Sequence, residues 1–157
     1  SFNIPAFTGA YGFIPEENER DSYLQALKGR DGLSSPSVPA LVAHIAAYRD
    51  GAPWLDALRD YLQANMRYVA DTLNNAFPAL CWQPPEATYL AWIDLRPLNV
   101  DDRALQQALI AEQKVAIMPG YTYGPEGNGF LRLNVGCPRE KLERGVEGLI
   151  AALRSLS

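Results

Sequence analysis

Hydrophobic and polar positions change their period several times along this chain, and each change marks an element. "GAYGFI" opens with a continuous apolar run, so Tyr11 to Ile14 reads as a short buried strand closed by Pro15. Glu16 to Lys28 then interleaves polar and apolar residues at helical spacing. Asn18 is the expected cap, with Asp21 three residues on in a capping-box arrangement. "GRDGLSSPS" (29–37) is rich in turn formers. "VPALVAHIAAYRD" (38–50) is apolar nearly all round, the mark of a buried helix. Gly51, Ala52 and Pro53 interrupt it. Leu55, Leu58, Leu62, Val69 and Leu73 follow at spacings of 3, 4, 7 and 4, one stripe of a long helix from about Pro53 to Ala76.

Past Phe77 the pattern shortens. The Pro-rich "FPALCWQPPEA" (77–87) starts a new unit, and "TYLAWIDL" (88–95) is β-branched and aromatic, as strands are. Asp101 or Asp102 caps a helix running to about Gln113. "VAIMPG" (115–120) is a short strand, and "YTYGPEGNG" (121–129) is a loop ending in the turn pair Asn128-Gly129. From Pro138 a last helix carries Leu142, Val146, Leu149, Ile150 and Leu153 on one face. The second half is therefore β-α-β-β-α, a compact α/β layer. The first half is mainly helical, with too few strands to stand as a domain, and the chain opens without an initiator Met inside an expected strand. Both features read as a fragment of a longer protein.

Between the last loop and the last helix lies "GFLRLNVGCP" (129–138). In an extended chain, Leu131, Leu133 and Val135 point to one face, and Phe130, Arg132 and Asn134 to the other. The first set is a plain core face. The second puts a cation beside an aromatic ring, and a guanidinium removed from water needs an anionic partner. That partner is either an Asp or Glu of this chain or the carboxylate of a ligand. The adjacent "MPGYTYG" tilts the balance slightly toward a ligand and leaves both open: a Pro-Gly break exposes backbone beside the strand, and Tyr121 and Tyr123 offer rings with polar tips.

Composition narrows the function classes. The 157 residues carry a formal net charge of −4. Residues 1–76 hold 6 Lys+Arg against 9 Asp+Glu, and residues 77–157 hold 8 against 9, so neither half offers a nucleic acid a basic surface. No apolar run reaches the length of a membrane helix. Cys81 and Cys137 lie 56 residues apart without a CxxC pattern, which argues against a zinc site or disulfide framework and for a reducing cytoplasm. His44, the single histidine, sits in "LVAHIAAY" and reads as a structural residue. Gly120, Gly124, Gly127 and Gly129 form neither GxGxxG nor a Walker loop. Asp94, Asp101 and Asp102 read as strand-end and cap residues.

Taken in order, "SFNIPAFTGAYGFI", "LKGRDGLSSPSVPALVAHIAAYRDGAPWLDALRDYL", "TYLAWIDLRPL", "VAIMPGYTYG" and "GFLRLNVGCPREKLERGVEGL" closely resemble the C-terminal part of the MalY/PatB group. These are pyridoxal-phosphate-dependent (PLP) cystathionine β-lyases and aminotransferase-like enzymes of fold type I, and the likeness runs from Ser1 to about Leu153. It implies an α/β fold in which residues 1–76 are the helical end of the large PLP domain with the interdomain helix. Residues 77–157 would be the small C-terminal α/β domain.

The resemblance also implies roles. The family's strand arginine, which binds the substrate α-carboxylate, falls on Arg132. The Schiff-base lysine falls just before Ser1. Asn3 would shape the cofactor pocket. Thr8 stands where many relatives place an arginine on the cofactor phosphate, and Ser34 or Ser35 lies where relatives send a loop toward the partner subunit's phosphate. The implied protein is a cytoplasmic homodimer acting on an amino acid by C–S β-elimination or by aminotransfer, with no nucleic-acid or membrane partner. The chain alone, without that lysine, is expected to be inactive. The alternative is a non-catalytic regulatory, protein-interaction or amino-acid-binding module.

Overall fold

The computed structural model describes residues 2, 5–7, 9–33 and 35–156. The chain divides into two compact units, residues 1–57 and 58–157.

In the first unit, helix α1 spans Glu17–Gln25 and continues as a single π-type turn over Ala26–Arg30. Its cap is Glu16, not Asn18: the Glu16 backbone is extended, and its carboxylate accepts the Glu19 N–H at 2.6 Å. Asn18 falls inside the first turn. Tyr11–Ile14 forms no strand, because none of the described residues runs beside it to receive backbone hydrogen bonds. Tyr11 and Phe13 are exposed. Helix α2 spans Val38–Asp50, with Ser37 as its cap and Pro39 in its first turn. The apolar composition of α2 predicts burial, yet only Ala40 is buried; Val38, Val42 and Ile45 are all more than 60% exposed. Ala40 is covered because Gly9 lies against its methyl group. Phe2, Tyr48 and Trp54 pack ring to ring at the C-terminal end of α2, and Tyr11 adds edges against His44 and Tyr48. Helix α3 spans Ala52–Ala76, one residue longer at its start than the sequence predicts.

The second unit holds the core. Strand β1 (Leu90–Asp94), helix α4 (Asp102–Ala111), strand β2 (Met118–Pro119), strand β3 (Phe130–Asn134) and helix α5 (Arg139–Leu156) follow the predicted β-α-β-β-α order. The sheet is antiparallel in the order β1-β3-β2, so β3 is central although it comes last. Ala91 and Ile93 of β1 and Leu131 and Leu133 of β3 face inward. They meet Met66, Val69, Ala70 and Leu73 of α3, Leu105 and Leu109 of α4, and Leu142, Val146, Leu149 and Leu153 of α5. Each such large side chain contributes roughly 1.5–3 kcal/mol through removal from water. The helices thus cover one face of the sheet, and the face carrying Trp92, Met118 and Arg132 is open.

Polar side chains fix how the chain enters and leaves the sheet. Asp101 caps α4 by accepting the Ala104 N–H at 2.8 Å, which frees Asp102 to accept the Gly129 N–H at 2.7 Å and set the start of β3. Gly129 has φ +77°, and a side chain there would also meet Arg96. At the far end, the fully buried Asn65 of α3 donates to the Val135 carbonyl at 2.9 Å. On the edge strand β1, the Trp82 indole N–H donates to the Trp92 carbonyl at 2.8 Å and satisfies a group that would otherwise face the sheet edge.

Candidate substrate-carboxylate site

Central placement in the sheet makes Arg132 the best-positioned cation of the molecule. Its Cα is paired with Trp92 on β1 and Met118 on β2, so all three side chains rise on the open face. Period-two alternation, already legible in the sequence, sends Leu131 and Leu133 into the core and leaves Arg132 half-buried.

The wall around it is aromatic. The guanidinium carbon of Arg132 lies 4.5 Å from the Tyr123 ring centroid. Tyr123 meets Trp92 edge-on at 5.8 Å, and Trp92 stacks on Phe130 at 5.5 Å with 17° between the rings. Arg96 closes the row, 4.6 Å above Phe130.

The two arginines on this face differ in their partners. Arg96 is held by Asp94 through Nε–Oδ1 at 2.9 Å and Nη2–Oδ2 at 2.7 Å, a two-pronged pair that holds the Asp94 carboxyl below the usual aspartate range. Arg132 has no Asp or Glu in ion-pair contact among the described residues. Of the two partners the sequence allows, the internal acid is therefore not used, and the planar N–H edge of Arg132 remains able to receive a carboxylate from solution.

The loop before β3 differs from its expected form. Pro119 and Gly120 are buried, so the Pro-Gly break does not expose backbone. Gly120 instead closes against the backbone of Gly127 and the side chain of Phe130, with no room for a Cβ on either glycine. Of the two tyrosines expected to line a pocket, Tyr123 stands over Arg132, whereas Tyr121 turns to Arg103 at 5.4 Å. Trp92 is the residue the sequence reading missed. Its position in the alternation of "YLAWID" and its cross-strand pairing with Arg132 were the available signal.

Asn3, Thr8 and Ser34 fall outside the described residues. Ser35 is exposed in the loop ahead of α2, and the cap of that helix is Ser37. His44 directs Nδ1 to the Ala40 carbonyl of its own helix at 2.8 Å, the satisfied structural role expected of it. No group of His, Cys, Asp or Glu able to hold a metal occurs among the described residues, and none of their helices is long and apolar enough to cross a membrane.

Comparison with known proteins decides the family. The model described as aminotransferase class I and II matches residues 1–149. The chain belongs to the class I and II aminotransferase family. Within it, the chain is 71% identical over 156 residues to protein MalY of Escherichia coli, covering 99% of this chain and 40% of MalY. It is 37% identical over 153 residues to cystathionine beta-lyase PatB of Bacillus subtilis, covering 98% of this chain and 39% of PatB. Its fold matches that of cystalysin from Treponema denticola, a structure containing a pyridoxal 5'-phosphate cofactor. The TM-score is 0.86 at 28% identity, over 99% of this chain and 39% of cystalysin. The MalY/PatB likeness and the fold-type-I architecture expected from the motifs are thus both met. The chain spans about 40% of the length of these curated relatives.

Pyridoxal phosphate needs an amine to bind covalently, and the residues described here do not fit that need. Lys28, Lys114 and Lys141 are all exposed, and Lys114 donates to the Ala111 carbonyl at the end of α4. Neither Lys114, at the end of α4, nor Lys141, on α5, stands on the face that carries Arg132.

Proposed function

We propose that this chain is the C-terminal part of a PLP-dependent C–S β-lyase that acts on a sulfur-containing amino acid, with Arg132 binding the substrate α-carboxylate. Residues 1–76 belong to the end of the cofactor domain and the helix leading out of it, and residues 77–157 form the small domain. None of the three lysines of this chain serves as the Schiff-base lysine, so the chain alone is inactive. The protein works as a cytoplasmic homodimer. The observation that carries the reading is the guanidinium of Arg132 on an open sheet face, with no Asp or Glu in ion-pair contact among the described residues, in a chain 71% identical to MalY and 37% identical to PatB. The part assigned to this chain is recognition: a planar fork meets a planar carboxylate through two charge-assisted hydrogen bonds and fixes its orientation.

Lyase and aminotransferase activities are separable by product. The full-length protein, supplied with cystathionine, is expected to release pyruvate, ammonia and a thiol. Transfer of the amino group to an added 2-oxo acid, with the C–S bond intact, would overturn the lyase assignment and favour aminotransfer.

A further inference from the structure

Tyr123 has no place in the reading above, yet several features converge on its position. Its ring lies under the guanidinium of Arg132 at 4.5 Å and against the edge of Trp92 at 5.8 Å. The short loop that carries it is tightly determined. Gly120 and Gly127 pack backbone to backbone, and the Thr122 hydroxyl donates to the Pro119 carbonyl at 2.7 Å. Gly124, immediately after Tyr123, has φ +124° and ψ 167°, a conformation open essentially to glycine alone. The loop is thus built to hold one ring in one place.

We propose that Tyr123 is a positioning residue for substrate recognition: its ring is the platform on which Arg132 rests, and Trp92 buttresses the ring from the side. This rests on Arg132 being the carboxylate-binding group. An arginine side chain has several rotatable bonds, and fixing them costs entropy each time a ligand binds. A ring against the guanidinium face removes part of that freedom in advance. The N–H bonds of a guanidinium lie in its plane, so a ring on its face leaves every donor available to a carboxylate approaching edge-on. Stacking and carboxylate binding are therefore compatible, and the first prepares the second. The contribution comes from the π face, over which the guanidinium carbon lies at 4.5 Å; no hydrogen bond joins the phenol hydroxyl to Arg132.

The test uses the full-length holoenzyme with S-methyl-L-cysteine as substrate. Alongside it, 3-(methylthio)propanoate and its methyl ester serve as ligands that differ in the carboxylate charge. Tyr123→Phe keeps the platform and is expected to leave KM within about twofold of wild type. Tyr123→Leu is expected to raise KM roughly 3- to 30-fold, the range of a partly desolvated cation–π contact, with a smaller effect on kcat. It should weaken the acid and leave binding of the ester unchanged. A purely structural defect would weaken both ligands alike, and that result would overturn the proposal. So would an unchanged KM in Tyr123→Leu, or an equal rise in Tyr123→Phe. Arg132→Met separates the two levels: if it too leaves the acid's advantage over the ester intact, the carboxylate reading itself fails.

Discussion

Asn65 offers the most quantitative test of how the site is held. It is the only buried polar side chain among the described residues, 1% exposed, and it sits on α3 beneath the C-terminal end of β3. Its amide donates to the Val135 carbonyl at 2.9 Å and more weakly to that of Cys137 at 3.4 Å, and its oxygen accepts from Arg139 at 3.3 Å. Leucine has the same number of side-chain heavy atoms in the same branching, so Asn65→Leu removes these bonds without opening a cavity. Two of the former partners keep other contacts: Cys137 accepts from the Tyr61 hydroxyl at 3.0 Å, and Arg139 retains Glu143 at 2.9 Å and the Tyr68 ring at 3.9 Å. Val135 is fully buried, and none of the described residues replaces the lost donor to its carbonyl. One buried carbonyl left unpaired costs about 1–3 kcal/mol, and the two weaker bonds add less than one more. A loss of about 1–4 kcal/mol is expected, equivalent to a fall in Tm of roughly 2–16 °C for a chain of this size. Urea unfolding followed by tryptophan fluorescence measures it as a lower midpoint at unchanged m. A midpoint within error of wild type would show that this amide does not secure the end of β3, and the account of how β3 is fixed would fall.

Two further outcomes follow from the same face. The Asp94–Arg96 pair lowers the folded-state pKa of Asp94 below its unfolded value, so its stabilising effect is present above the unfolded pKa, about 3.9, and is lost as the pH falls through the folded value. Stability of Asp94→Asn against pH should therefore run flatter than wild type in acid below about pH 4, with the two curves separated near neutrality; parallel curves would refute the pairing. In Gly120→Ala, the added methyl meets the Gly127 carbonyl and Phe130, so the loop shifts. The expected cost is about 1–3 kcal/mol, read by urea unfolding, and a neutral result would mean the two strands of the loop are not closed on each other.

The alternation in "FLRLN" was enough to place Arg132 opposite the core, because a strand with one covered face has only one register that buries its leucines. A cap at Asp101 or Asp102 and the helices of residues 52–156 were legible for the same local reasons; the structure chose Asp101. What the sequence concealed depends on partners distant in the chain. Nothing in "GAYGFI" tells whether a neighbouring strand exists to pair with it. The all-apolar α2 reads as buried, but burial is a property of what covers a helix, and Val42 and Ile45 are exposed. Trp92 and Tyr123 meet Arg132 only through the β1–β3 pairing and the Gly120–Gly127 closure, contacts between segments about 7 to 40 residues apart. The contrast between Arg96, clamped by Asp94 two residues away, and Arg132, with no acid in contact among the described residues, likewise emerged only in three dimensions.

The grip of Arg132 on a substrate carboxylate is tested most directly by binding to the full-length protein. Calorimetry on 3-(methylthio)propanoate and its methyl ester isolates the contribution of the charge. Two charge-assisted hydrogen bonds from one fork place the acid ahead of the ester by roughly 1.5–3 kcal/mol, about 10- to 150-fold in Kd. Arg132→Met is expected to abolish that advantage, and Arg132→Lys to restore only part of it. An acid preference that survives intact in Arg132→Met would contradict the assignment.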